Sequence, residues 1–305
     1  PIKGTLAEFG GPPDAITALI PLNDDVMLFG GQHSIYRQTG DPAAGGERDL
    51  LSDRTGVVWG DAWTKSPEGL VYFFGTNGVY ELQPGSGSIR SLTQNKIAAN
   101  MRAIDHSAYE TRLEWDNWYE GLHVFITRVA SGTSTHYFWD RAADGWWIDQ
   151  YPDSHGPMAT LGLDGDTAAT RGILMGSRDG YVRRIDPLAF SDDGTAISSY
   201  TLIGPIRPAS GALESQVIRI APTFGENTSN VIMEVFVGSS PYEAIMNTAV
   251  FKRTYTTGGR KEEVLPRARG NSIYVKLSNT TADKMWSLED LVVYVDTKSI
   301  VKART

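Results

Sequence analysis

The sequence predicts an all-β protein: β-propeller-like repeated antiparallel blades, followed by a C-terminal β-sandwich-like region. Three observations predict it. Short runs of β-branched and aromatic residues recur along the 305-residue chain, and glycine-centred turns join them in pairs. Four early pairs carry a tyrosine on their second strand, at positions 36, 80, 137 and 181, spaced by 44, 57 and 44 residues. A period of roughly 40–50 residues built from antiparallel strands is the size of a propeller blade.

The first pair is Val26-Met27-Leu28-Phe29, then Gly30-Gly31, then Ser34-Ile35-Tyr36-Arg37. The second, Val71-Tyr72-Phe73-Phe74 and Val79-Tyr80-Glu81-Leu82, flanks Asn77-Gly78. Both turn residues are expected at positive φ in a tight hairpin. Thr93 to Ala103 reads as a short inserted helix, with Ile97 and Met101 on one face and Thr93 as its N-cap. This insertion accounts for the longer middle interval. The third pair is residues 122–126 and 136–139 around Ser131-Gly132-Thr133, and the fourth is 172–175 and 181–185 around Asp179-Gly180. A blade cannot cover its own apolar faces, so neighbouring blades must stack to do so. Residues 1–203 supply about four to five blades at this period, and the expectation is either a ring completed by residues ahead of Pro1 or a small propeller.

Composition changes after that. Residues 201–305 hold 13 Lys plus Arg against 10 Asp plus Glu, whereas residues 1–200 hold 15 against 26. Seven of the eight tryptophans lie in the first 150 residues. Gly204-Pro205-Ile206-Arg207-Pro208 has the punctuation of a linker. Residues 204–305 are accordingly expected to form the sandwich-like region, with strands at 216–220, 231–237, 272–277 and 291–295 and no helical stretch; the alternative is that these strands complete the propeller. In the third of these, Ile273, Val275 and Leu277 point one way, and Tyr274 and Lys276 the other.

A hydrophobic content of 41% with 10% aromatics excludes disorder as the main state. No apolar run approaches the roughly 20 residues of a spanning helix. With no cysteine, disulfides, thiolate metal sites and cysteine nucleophiles are excluded. A pI near 5.2 argues against capture of nucleic acid by a basic surface.

The motifs of catalysis are missing: no Gly-x-Ser-x-Gly elbow, no Walker loop, no dinucleotide fingerprint. His33, His106, His123, His136 and His155 show no metal-binding spacing. His123 and His136 face each other in one candidate hairpin, and a structural role is expected for them. Asp24-Asp25, Asp164/Asp166 and Asp192-Asp193 neighbour Gly or Asn and read as turn formers. Asp164-Gly165-Asp166 is a weak calcium-loop signal without the full spacing. Ser191-Asp192-Asp193-Gly194-Thr195 departs from the aspartate box of sialidases, because Gly follows Asp directly. Trp115, Trp118 and Tyr119 lie near one another, as do Trp146 and Trp147; such rings form blade core, sugar platforms or subunit contacts. The chain is expected not to be an enzyme and to use no cofactor.

Four passages carry a family resemblance. They are residues 25–40, with Phe29-Gly30-Gly31 and Ser34-Ile35-Tyr36; residues 55–65, leading to the Tyr72 hairpin; the inserted helix followed by Tyr137-Phe138-Trp139-Asp140 and Gly145-Trp146-Trp147; and Gly176-Ser177-Arg178-Asp179-Gly180-Tyr181-Val182. In order and texture the chain resembles the tail hub or nozzle proteins of short-tailed bacteriophages, also described as tail tubular or DNA-stabilisation proteins. The resemblance covers about residues 15–190. It implies a structural virion protein of the phage tail, assembled as a six-fold ring of copies around the DNA exit channel. Such a ring contacts tail adaptor and tail fibre or spike proteins and helps retain and then eject the genome. Under that reading the acidic first part turns carboxylates such as Asp164, Asp166, Asp192 and Asp193 to the channel, so that double-stranded DNA slides past. Arg267 and Arg269, in Pro266-Arg267-Ala268-Arg269-Gly270, form a loop suited to carboxylates of a neighbouring subunit. Two alternatives stand beside it: a glycan-binding β-propeller adhesin and a propeller glycoside hydrolase.

Overall fold

A computed structural model describes residues 14–149, 151–152, 155–167, 170–207, 215–261 and 263–296. Two compact units part between Pro187 and Leu188.

The first unit is a series of meanders taken in chain order. Strands β1 (Ile16–Pro21), β2 (Val26–Gly31), β3 (Ile35–Thr39) and β4 (Glu47–Ser52) form one antiparallel sheet. Strands β5 (Trp63–Lys65), β6 (Val71–Gly75), β7 (Gly78–Gln83) and β8 (Ser88–Ser91) form the second. The helix α1 (Ala98–Arg102) precedes the third sheet, of β9 (Tyr109–Asp116), β10 (Gly121–Arg128), β11 (Ser134–Asp140) and β12 (Gly145–Asp149). A three-stranded sheet follows, of β13 (Pro157–Leu163), β14 (Gly172–Ser177) and β15 (Val182–Arg184). Tyr36, Tyr80 and Tyr137 lie on the third strand of their sheets, and Tyr181 immediately precedes the third strand of the last. The repeat in the sequence is this third strand, and the architecture is the expected propeller-like series of blades.

Alternation of side chains along each strand makes both faces of an inner sheet apolar, so the sheets stack. Ala18, Ile20, Leu28 and Ile35 of the first sheet share one core with Val71, Phe73 and Leu82 of the second and Leu113, Leu122 and Trp139 of the third. Between the second and third sheets, Tyr72 stacks on Trp115 at 5.1 Å between ring centroids and meets Trp139 at 5.9 Å. Between the third and fourth, Phe125 is fully buried with Ile173 and Met175.

Two local expectations change. The Tyr72 hairpin turns on Thr76 and Asn77, and only the following Gly78 has positive φ, at 134°. The glycine is also required sterically, because a Cβ there would lie 2.1 Å from the Thr93 hydroxyl. That hydroxyl accepts from the Val79 amide and is not a helix cap; the helix starts after Ile97 without a side-chain cap.

The second unit opens with a small hairpin of β16 (Ser191–Asp192) and β17 (Thr195–Ala196). Two further sheets follow. One is β18 (Ser199–Ile206), β24 (Ser272–Asn279), β20 (Val231–Gly238) and β21 (Phe251–Tyr255), in that order. The other has β19 (Ser215–Phe224) between β22 (Gly259–Arg260) and β23 (Ala268–Gly270), with β25 (Leu288–Asp296) also on β19. Val217, Ile220 and Phe224 of β19 share a core with Val231, Met233 and Val235 of β20 and Ile273, Val275 and Leu277 of β24. That is a sandwich, and the expected inward residues of β24 are buried in its core, although Tyr274 on the opposite face is buried as well.

The boundary expected between residues 203 and 204 falls inside β18. Gly204-Pro205 shifts the register between Ile203 and Ile206 within the strand instead of linking two domains, and Pro208 lies outside the described residues. A helix was not expected here, yet α2 (Pro241–Met246) forms. Ser240 accepts from the Glu243 amide at 3.2 Å, and Glu243 accepts in return from the Ser239 amide at 3.0 Å. Pro241 takes the first helical position, where its missing N–H costs nothing.

Candidate functional site

The third sheet has two unlike faces. Leu113, Trp115, Leu122, Val124, Tyr137 and Trp139 turn to the second sheet. The register places two rows on the other face: Glu114, His123, Phe138 and Trp147, and Arg112, Phe125, His136 and Asp149. The fourth sheet has three strands to cover four. It buries Phe125 and leaves the β12 end open, where Trp147 is 60% exposed. A cleft of about 440 Å³ results. Phe138, Trp147, Tyr119 and Tyr151 supply its rings, and His123, His136 and Asp149 its polar groups.

A hydrogen-bonded relay forms the cleft floor. Asp116 Oδ2 lies 3.1 Å from His123 Nε2, and His123 Nδ1 lies 2.7 Å from His136 Nε2. His136 Nδ1 then meets the Tyr151 hydroxyl at 3.1 Å and the Asp149 carboxylate at 3.4 Å. The two imidazoles are nearly parallel, with centroids 4.8 Å apart, and His136 stacks on Phe125 at 4.5 Å. The turn after β9 orients Asp116, which accepts from the amides of Trp118 at 2.7 Å and Tyr119 at 3.2 Å.

Burial alone would raise the Asp116 carboxyl, but the bonds from His123 and the two amides outweigh it and hold it below its usual value. Full burial holds His136 well below the ordinary imidazole range, and the adjacent His123 adds to that. When His123 donates Nε2–H to Asp116 and accepts at Nδ1, His136 Nε2–H is the donor of the pair. His136 Nδ1 is then an acceptor, filled by the Tyr151 hydroxyl. In that state no hydrogen bond from His136 reaches Asp149.

His123 and His136, expected to face each other, meet as the register requires. The aromatic groups divide: Trp115 and Trp146 pack in the shared core, while Trp118 is 69% and Tyr119 48% exposed. The other sequence candidates lie elsewhere. Asp164 is in the loop after β13, 3.3 Å from Arg171 Nε, and Asp166 is exposed in the same loop. Asp192 ends β16, and Asp193, at φ 49°, forms the turn with Gly194. Arg267 is exposed at φ 49°, and Arg269 donates to Gln216 Oε1 at 3.1 Å. Asp193 is thus a turn residue, Asp164 and Asp166 are loop residues, and Asp192 is a strand residue.

Sequence reasoning missed Asp116, Asp149 and Tyr151. It also missed Arg112, whose guanidinium meets Asp61 at 2.6 Å, Glu110 at 3.1 Å and the Met158 carbonyl at 2.8 Å. A strand alternating Glu110, Arg112, Glu114 and Asp116 was the available signal. A larger cleft, of about 660 Å³, lies between the first two sheets. No aromatic ring lines it, and its Arg37 and Lys65 donate to the Pro84 and Pro21 carbonyls.

No protein-family profile matches the sequence, and no curated protein matches it. Two solved structures are similar in part. One is the extracellular domain of a putative one-component system from B. thetaiotaomicron, at 10% identity and a TM-score of 0.35. The match covers 81% of this chain and 36% of that one, so this chain spans about a third of its length. The other is a GH43 glycoside hydrolase engineered to show both endo-xylanase and exo-arabinofuranosidase activity, at 10% identity and a TM-score of 0.31, covering 94% of this chain and 77% of that one. The exclusion of an enzyme drawn from the sequence is therefore corrected: a glycoside hydrolase stands among the structural matches. That exclusion relied on local motifs, and glycosidic carboxylates come from separate strands that no local motif records. Similarity at this level assigns no activity to the chain.

Proposed function

We propose that the first unit binds carbohydrate in the cleft on its third sheet. The observation that carries this reading is the meeting of open ring faces and hydrogen-bonding groups in one concavity. A sugar ring presents C–H faces that pack on aromatic rings and hydroxyls that need polar partners at the edge. Phe138, Trp147, Tyr119 and Tyr151 offer the first, and the Asp149 carboxylate the second, while the nitrogens of His123 and His136 are taken up within the relay. A glycan array probed with the full chain tests it. Reproducible binding that Trp147→Ala abolishes is expected. Binding unaffected by Trp147→Ala, or no binding on a broad array, refutes it.

A specific observation also favours the reading as a ring-forming tail protein. The outward face of the first sheet carries an apolar row across all four strands, Leu19, Phe29, Tyr36 and Leu50, with Leu19 54% and Leu50 53% exposed. The outward face of the fourth sheet carries Leu161, Leu163 and Val182, all exposed. Copies stacked end to end would cover both faces, as a heterologous contact closes rings. Light scattering across a concentration series tests this. Assemblies that Leu50→Asp disperses support it, and a monomer at every concentration refutes it.

A further inference from the structure

The charges around the cleft are one-sided. Among the described residues, no Lys or Arg lines it. Arg112, in the same row as Asp149, directs its three nitrogens to Asp61, Glu110 and the Met158 carbonyl. The Asp149 carboxylate is 60% exposed, and its ion-pair contact among the described residues is His136 at 3.4 Å. Neutral His136 cannot balance that charge. Trp147 stands two residues before Asp149 on β12 and on the same face, because Phe138 and His136 are their respective partners across the ladder. A carboxylate therefore sits beside an exposed indole face, and both open into one concavity.

This pairing discriminates between ligands. A carboxylate without a cation repels an acidic sugar. A neutral sugar uses the ring faces and donates hydroxyls to the carboxylate, but brings no charge to offset it. An ammonium group satisfies both elements: the carboxylate by charge and hydrogen bond, and the indole by its quadrupole. We propose that the cleft selects a sugar bearing a free amine, of the glucosamine type, with its ammonium held between the Asp149 carboxylate and the Trp147 ring. The proposal rests on the carbohydrate reading above and narrows it to one chemical class.

Calorimetry of the full chain with three oligosaccharide probes tests it: glucosamine oligomers, their N-acetylated counterparts and uronic-acid oligomers. The amine form binds about tenfold more tightly than the acetylated form, from one partly exposed cation–π contact plus one exposed ion pair. The uronic acid binds most weakly. In Asp149→Asn the amine and acetylated forms bind alike, and Trp147→Ala loses both. Because both residues are exposed, melting curves identify any variant that has lost its fold, and Asp149→Glu then serves as the variant that retains the preference. Equal affinity for amine and acetylated forms in the wild-type protein overturns the proposal and leaves the carbohydrate reading standing. No binding of any probe, together with a blank array, overturns both.

Discussion

Acid should loosen the first unit in a way that one substitution removes. His136 is 2% exposed and its pKa is held well below the ordinary 6.5 by burial. Below pH 6.5 the unfolded chain takes up a proton that the folded ring refuses. Stability is therefore complete above pH 6.5 and falls as pH drops, until the folded pKa is reached. The slope for one proton is about 1.4 kcal/mol per pH unit, so moving from pH 6.5 to 5.0 costs roughly 2 kcal/mol while the buried ring stays neutral. Other groups act differently. Asp116, with a lowered pKa, contributes stability above its unfolded value of 3.8 and loses it only at lower pH. Burial also lowers His106, which has the same sign as His136. Burial raises Glu114, so its folded form holds a proton longer and its effect has the opposite sign. All three remain in His136→Gln, as does Asp149, whose carboxyl burial also raises, so the difference in slope between the two proteins reports the loss of the His136 ring together with its contact to Asp149. Guanidinium unfolding read by tryptophan fluorescence suits the measurement, because seven of the eight tryptophans lie in the first unit. Wild-type stability should fall more steeply than that of His136→Gln between pH 6.5 and 5.0. Parallel lines would refute the account of the relay.

Phe125→Ala should destabilise the first unit by about 3–5 kcal/mol in the same unfolding assay, because the ring is fully buried against Ile173 and Met175. Gly78→Ala should lower its melting temperature at a cost of about 1–3 kcal/mol, since φ is 134° and the new Cβ would collide with Thr93. Tyr255→Phe should stabilise the second unit by about 1 kcal/mol in calorimetry, because the buried hydroxyl has no hydrogen-bond partner among the described residues. Trp147→Ala should change stability by less than about 0.5 kcal/mol, so a loss of sugar binding in that variant would report on the cleft alone.

The tyrosine repeat revealed the blades because the third strand of each sheet carries it. Strands β4 and β8, Glu47–Ser52 and Ser88–Ser91, were illegible because an edge strand half in water lacks strong alternation. The helix α2 was readable in principle, since Ser240, Pro241 and Glu243 spell a cap. Of the site, the contact between His123 and His136 followed from one hairpin. Asp116 and Tyr151 did not, because one is oriented by a turn beyond its strand and the other lies in the irregular stretch after β12. Of the aspartates chosen for closeness in sequence, Asp193 lies in a hairpin turn and Asp164 and Asp166 in a loop, while Asp192 ends a strand. A shared sheet face, not adjacency, brings polar groups together.

Trp146 and Trp147 show why the cleft lies where it does. They are neighbours on β12 and point to opposite faces. Trp146 turns to the second sheet, where its indole N–H donates to the Leu92 carbonyl at 3.1 Å and its ring packs into the shared core. Trp147 turns to the fourth sheet, whose third and last strand is the three-residue β15. A fourth strand in that sheet would cover Trp147 and Asp149 and turn a binding surface into blade core. The same residue type is therefore structural on one face and available on the other, and the strand count of the neighbouring sheet makes the difference.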